Sequence, residues 1–525
     1  MKTNEKQGIG LKTITRIPEM DKKLVDVALN SSLYENRDML RSNFSQNELD
    51  IMAESTITTN GWDTVFAISA AHLNEAIIKN KTYPVFPISW DLKDESIQFG
   101  IKDGKFNAWQ ICPGGDGRNI HIKLPFSSGT FYYNGTENNI KDIEAIISIN
   151  LKLFPNGSDN KLSDLKVSYE PEQPGDVVVS LLQLNVPSSF SKSICIKAFL
   201  EYTIKNWCEN NLDKFNAVFS TINLNDVSQS SDFKWLSPKY TGYAYTDSNS
   251  LENSVFGILC MCTENYSTSL PHQITPNALT NDGQGTFIIN TALFVESQFL
   301  PALPNVFKDS TASDFKLNDV KTGITASSLK LQDVKYGAVT YNPVCEGFEV
   351  YFEQSYIRSH SIIRTKISPG IESIVTIETK MTLKLDVNDN KEQIITYEML
   401  GDPVVTSETE VATWVVVTEA VANLILLVVG AVTGYFMEEI VKRVIIGIVV
   451  AIIASVISVT IHIIIEKVIA DGVNKALPSV SPLVKTATKY VIWPLSDPND
   501  DDRFTLKKVS YNGSIALIGD PVYSE

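Results

Sequence analysis

The chain has 525 residues and a mass of 58.2 kDa, room for about two to four domains. Hydrophobic residues make up 43% and charged residues 20% of it, with 27 glycines and 22 prolines, which excludes a disordered or low-complexity design. Its 45 Lys and Arg against 61 Asp and Glu leave a formal charge of −16, which argues against nucleic acid as a partner and against simple docking on anionic lipid, and six cysteines cannot make a disulfide scaffold.

Residues 1–57 are polar and mixed in charge, and read as a short helical arm without a core of its own. The opening MKTNEKQGIGLKT has no apolar h-region, so synthesis in a bacterial cytoplasm without a signal peptide is expected. The body starts at Gly61-Trp62-Asp63. Thr64 to Ile68 is strand-like, and Ser69 stands where an N-cap belongs, ahead of a helix over Ala70 to Ile78. The Gly-rich stretch Pro113 to Gly117 lacks the strand-to-helix context of a phosphate loop and reads as a turn.

Alternation then takes over. Ile147, Ile149, Leu151 and Leu153 alternate with polar residues, as do Phe348, Val350 and Phe352. Val375 to Leu385 is the cleanest run, one face apolar and the other polar, and predicts an unusually long, half-buried antiparallel strand. Between these runs, helical spacing from Ile196 to Phe219 predicts an amphipathic helix over about 195–219. A shorter helix is predicted over Ala292 to Leu300, ended by Pro301. Leu400 to Val404 (LGDPV) echoes Ile518 to Val522 (IGDPV), the one sign of a repeated plan, although Gly-Asp-Pro is also common turn chemistry.

Val421 to Met437 and Val444 to Ile465 are uncharged. The linker between them places Glu438 and Glu439 four residues before Lys442 and Arg443, and Gly430 and Gly434 stand four apart. The second run is long enough to cross a bilayer. A mean hydropathy of −0.02 and a closing hairpin beyond it favour a buried helix pair over a membrane-inserting hairpin or an integral anchor. The closing hairpin, about 503–519, turns at Asn512-Gly513.

Enzyme signatures are missing. No Walker A, nucleophile elbow or His-Glu-x-x-His occurs, so no enzyme, no cofactor and no catalytic or metal residue is expected. Cys260 and Cys262 share one face of a strand, and the remaining cysteines are isolated. Asp386 to Asn390 begins like a calcium loop, but Lys391 replaces the required glycine, which leaves a strand-ending turn. His462 lies inside the apolar run and is read as a core histidine.

Four ordered motifs carry a family resemblance: Asn60 to Val65 (NGWDTV); Trp235 to Pro238 with Tyr243-Ala244-Tyr245; Phe287 to Pro301; and Trp493-Pro494 with Asn512-Gly513 and Gly519-Asp520-Pro521. Over about 60–525 the chain resembles the clostridial OrfX and forty-seven-kilodalton protein family, encoded beside botulinum-type neurotoxin genes. The resemblance implies an α+β, tubular lipid-binding (TULIP-like) fold, with long, strongly curved antiparallel sheets wrapped around long apolar helices. The expected organisation is an extension over 1–57, a module over 58–225, and a second, pseudo-repeated module over 226–525 containing the apolar hairpin 411–470. The implied function is a non-enzymatic accessory protein of a toxin gene cluster. Its partners would be lipid or membrane and other cluster proteins, a bound lipid would take the place of a cofactor, and release would be with a toxin complex. The alternative is a pore-forming or insecticidal protein that inserts the 411–470 hairpin. Leu424, Leu427, Val428, Ile452, Ile453 and Val456 are the expected lipid or membrane contacts.

Overall fold

The computed structural model describes residues 56–523, apart from 86–87, 95–96, 157–158, 171–177, 188–193, 225–230, 249, 413–438, 458–463, 466, 469–470 and 497–499. The arm over 1–57 therefore falls almost wholly outside the described residues, as do Gly430, Gly434, Glu438, His462 and the first run of the apolar pair. The described residues form two compact units, and both are discontinuous in sequence. One comprises Ile57–Asn290, Pro482–Lys508 and Ala516–Glu525; the other contains Thr291–Ser481 and Val509–Ile515. The division does not follow the boundary expected at 225/226. The reason is strand pairing: Thr64–Ser69 pairs antiparallel with both Val255–Met261 and Gly285–Asn290, so segments on either side of that boundary share one sheet.

In the first unit, Thr64–Ser69 is a fully buried strand. Ser69 then caps the helix Ala70–Asn80, its side chain accepting from the His72 amide, as the sequence predicts. The strand sits in a seven-stranded sheet with Tyr240–Thr246, Val255–Met261, Gly285–Asn290 and the closing strands Phe504–Tyr511 and Ser514–Pro521. Trp62, Val65, Ala67, Leu259, Ile288 and Ile518 meet in its core. The family motif at Asn60 to Val65 is structural. Trp62 is 1% exposed, and its indole N–H donates to the Pro271 carbonyl at 2.9 Å. Asp63 accepts from the Cys262 and Thr263 amides and from the Thr263 hydroxyl, each at 2.8 Å.

A second seven-stranded sheet is built on the long strand Ile120–Tyr133. Against it lies the helix Ile194–Asn211, through an aromatic cluster in which Trp109 meets Trp207 at 6.3 Å and Phe215 at 5.1 Å. The helix is shorter than the predicted 195–219. Asn211 leaves helical geometry, a 3-10 turn over Leu212–Lys214 follows, and Phe219 belongs to the strand Val218–Asn223. The predicted strand 147–153 is two strands. Glu144–Ile149 pairs with Ile120–Tyr133, whereas Leu151–Asn156 pairs with Asp159–Val167 in a separate four-stranded sheet. Alternation runs unbroken through Asn150, so nothing in the pattern marks the change of sheet.

The second unit is an eight-stranded sheet centred on Ile371–Val387, whose 17 residues alternate buried and half-buried over most of their length, extending the run read from the sequence. It pairs with Ile357–Ser368 along one edge, and Arg364 ties neighbouring strands together through Glu346, Glu372 and Glu410. Asn388 caps the turn that follows, accepting from the Asn390 and Glu392 amides; it is the expected strand-ending turn. Pro301 does not end its helix. Thr291–Phe294 widens into a π-turn over Val295–Phe299 and continues through Leu300–Ala302, and the wider turn absorbs the missing proline donor. Residues 439–456 are helical, with the expected Glu439–Arg443 pair at 3.4 Å, and among the described residues no helix is long and apolar enough to cross a membrane.

The two Gly-Asp-Pro segments differ in conformation, so their echo is not a structural repeat. Gly401 has φ 96° in open space, between Gln393–Met399 and Val404–Val411. Gly519 lies within Ser514–Pro521, where a Cβ would stand 2.1 Å from the Thr505 carbonyl oxygen. It also abuts Gly283, whose own Cβ would stand 2.4 Å from the Gly519 carbonyl oxygen.

Candidate apolar groove

Within the first unit, four short stretches converge on one cleft. The inner face of the 70–80 helix supplies Ala76 and Ile77 because the Ser69 cap sets its register. The four-stranded sheet supplies Leu162 and Asp164 from Asp159–Val167, and Val218 and Thr221 from Val218–Asn223. The segment Ile492 to Ser496 closes the cleft. It is held by antiparallel pairing of Val491–Ile492 with Thr221 and Ile222, and by the Ser220 hydroxyl donating to the Ile492 carbonyl at 3.1 Å. Trp493 packs edge-on against Phe256 with ring centroids 6.3 Å apart. Leu495 turns the chain at φ 73°, in the left-handed region that L-residues seldom adopt. The cleft holds about 370 Å³, within the range of about 300–1,000 Å³ usual for small-ligand sites.

Its walls are apolar, with Asn80, Thr82, Asn156 and Ser496 among the polar residues that line it. Asp164 is the ionisable side chain among the described lining residues. It is 8% exposed and fixed by three donors: the Thr221 hydroxyl at 2.7 Å, the Asn156 amide at 3.0 Å and the Lys166 ammonium at 3.2 Å. Behind the groove, His72 is within 3.2 Å of the Pro494 carbonyl and contacts the Tyr523 hydroxyl. Burial lowers its pKa to about 4, outweighing the Pro494 carbonyl, and keeps it neutral at ordinary pH. A wider cleft of about 460 Å³ lies along the other side of the same helix, but Glu75, Lys79 and Glu252 line it, and it is shallow and charged.

Those of the expected contact residues that the structure describes lie elsewhere. Ile452, Ile453 and Val456 are on the 439–456 helix of the second unit, 1%, 0% and 0% exposed, and so belong to its core. Leu424, Leu427 and Val428 lie outside the described residues. Cys260 and Cys262 are buried and the Cys262 thiol is pushed up to about 12, so neither offers a thiolate for zinc; no cluster of metal-holding side chains occurs among the described residues. Apart from Trp493-Pro494, the groove residues carry no sequence signal, because they arrive from four distant segments.

A family model described as OrfX-like, protein OrfX2/OrfX3/P47, matches residues 59–519. The chain is 30% identical to protein OrfX3 of Paraclostridium bifermentans over 508 residues, 88% of this chain and 98% of that protein. It is 29% identical to protein OrfX3 of Clostridium botulinum strain Kyoto / Type A2 over 499 residues, 88% and 98% of the two chains. The solved structure of P47 from Clostridium botulinum A2 superposes with a TM-score of 0.61 at 17% identity, covering 90% of this chain and all of that one, which is a likeness of fold.

Proposed function

Since this chain belongs to the OrfX/P47 family, we propose that it is a non-enzymatic accessory protein of a bacterial toxin gene cluster that binds a lipid or similar amphiphile. The observation that supports the reading is the groove of about 370 Å³ in the first unit, a concave site of small-ligand size lined more by apolar than by polar surface. On this reading the fold is TULIP-like, with curved sheets packed on the 194–211 and 439–456 helices. Other proteins of the same cluster are its protein partners, and it leaves the cell with them.

The test is an organic extract of the purified full chain, analysed by mass spectrometry, beside Val218→Trp. Val218 is a half-buried strand residue on the groove wall, and an aromatic side chain suits a strand while filling the cleft. Roughly one amphiphile per wild-type chain, reduced in the variant, is expected. A clean extract, together with no uptake of Nile red, would leave a scaffold that binds only proteins.

A further inference from the structure

The charge distribution of the groove restricts its occupant. Its described lining contains no Lys, Arg or His, and its ionisable group is the carboxylate of Asp164. That carboxylate is almost fully buried, and Thr221 and Asn156 donate to one oxygen while Lys166 reaches the other. Lys166 is not part of the lining, and its side chain is 34% exposed, so it balances Asp164 from the side without placing a cation in the cleft. His72 at the back is uncharged at neutral pH. An anionic head would therefore meet a buried carboxylate and, among the described lining residues, no counter-charge; a cationic head meets a carboxylate and, in Trp493, an aromatic neighbour. The volume lies near the low end of small-ligand sites and suits one apolar chain.

We infer that the groove selects a single-chain amphiphile with an ammonium-type head and rejects anionic ones such as fatty acids or alkyl sulfates. This selectivity rests on the groove reading above and can fail without it.

Three decyl amphiphiles separate the possibilities: trimethylammonium, sulfate and maltoside heads, each titrated calorimetrically below its micelle concentration into the full chain. The ammonium probe should bind at least about tenfold more tightly than the sulfate, with the maltoside between them. Asp164→Asn should remove the preference for the ammonium probe over the sulfate. Val218→Trp keeps the net charge and should weaken all three, so ammonium binding that persists undiminished there is adsorption to an acidic surface and overturns the inference. Asn156→Lys, at an exposed rim position, adds a cation and should turn the preference towards the sulfate even if the Asp164 variant does not fold. Equal or tighter sulfate binding by the wild type, or an unchanged ranking in Asn156→Lys, overturns the selectivity while the groove reading stands. No binding of any probe overturns both.

Discussion

Replacing Ile453 by Asp tests whether the apolar helix belongs to protein or to lipid. Ile453 has no exposed surface, and with Tyr397, Val449, Val468 and Leu477 it lines a void with no room for a water molecule. The substitution forfeits about 1.5–3 kcal/mol of apolar burial. It also places a carboxylate where neither water nor a cation can reach it, for several kcal/mol more. The sum exceeds about 5 kcal/mol, comparable to the whole net stability of a typical domain. Ile453→Val, which trims one methylene and keeps the shape, should cost only about 0.5–1.5 kcal/mol. Soluble yield, near-UV circular dichroism and urea unfolding of the three chains make the comparison. Burial raises the folded-state pKa of the new carboxyl above its unfolded value, so the deficit of the Asp variant relative to Ile453→Val should be smallest below the unfolded value of about 4 and widen as pH rises towards the folded one. A soluble Ile453→Asp chain with an unchanged urea midpoint and impaired liposome binding would refute the reasoning and make the helix a surface element that enters membranes.

Burial holds the pKa of His72 near 4, below the 6.5 of the unfolded chain, so its contribution is complete above about pH 6.5 and lost as pH falls towards 4. Over that window it amounts to about 3 kcal/mol, and the fall in urea midpoint between pH 7.5 and 5 should be visibly smaller in His72→Gln. Asp63→Ala strands the buried Cys262 amide and the half-buried Thr263 amide and should cost about 3 kcal/mol by urea unfolding, with Asp63→Asn milder because one acceptor oxygen survives; equal losses would show that charge, not acceptance, matters there. Gly519→Ala drives a Cβ into the Thr505 carbonyl and should cost about 1–3 kcal/mol or abolish folding. Gly401→Ala meets open space and only backbone strain, about 1–2 kcal/mol, and should stay folded; failure of both to the same degree would restore the case for a repeat.

What could be read from the residues follows from how far each signal reaches along the chain. The Ser69 cap, the Ile371–Val387 strand and the Asn512-Gly513 hairpin are local, encoded by cap, alternation or turn chemistry within a few residues, and they stand where the sequence puts them. The split at Asn150 was illegible because both strands keep the same period while changing partners. The fate of Phe219 was illegible because its apolar ring serves a helix stripe and a strand face equally well. The groove was the least legible part. Ala76, Asp164, Val218 and Trp493 are unremarkable where they stand, and only pairings between distant strands bring them to one cleft. Ile452, Ile453 and Val456 were expected as contacts for their local apolarity, which marks burial as readily as ligand binding.

The discontinuity of the first unit also bears on how the chain is made. Its seven-stranded sheet ends with strands taken from residues 504–521, and Gln284 donates to Asp520 across 236 positions of sequence. While a ribosome is still extending the chain through residues 291–503, the strand Gly285–Asn290 has emerged with that edge bare. An unpaired strand edge left open at the pace of translation, roughly 5–20 residues per second, invites pairing between nascent chains. Synthesis should therefore rely on holding chaperones, and premature stops before residue 504 should send the product into inclusion bodies, even though the missing segment is small.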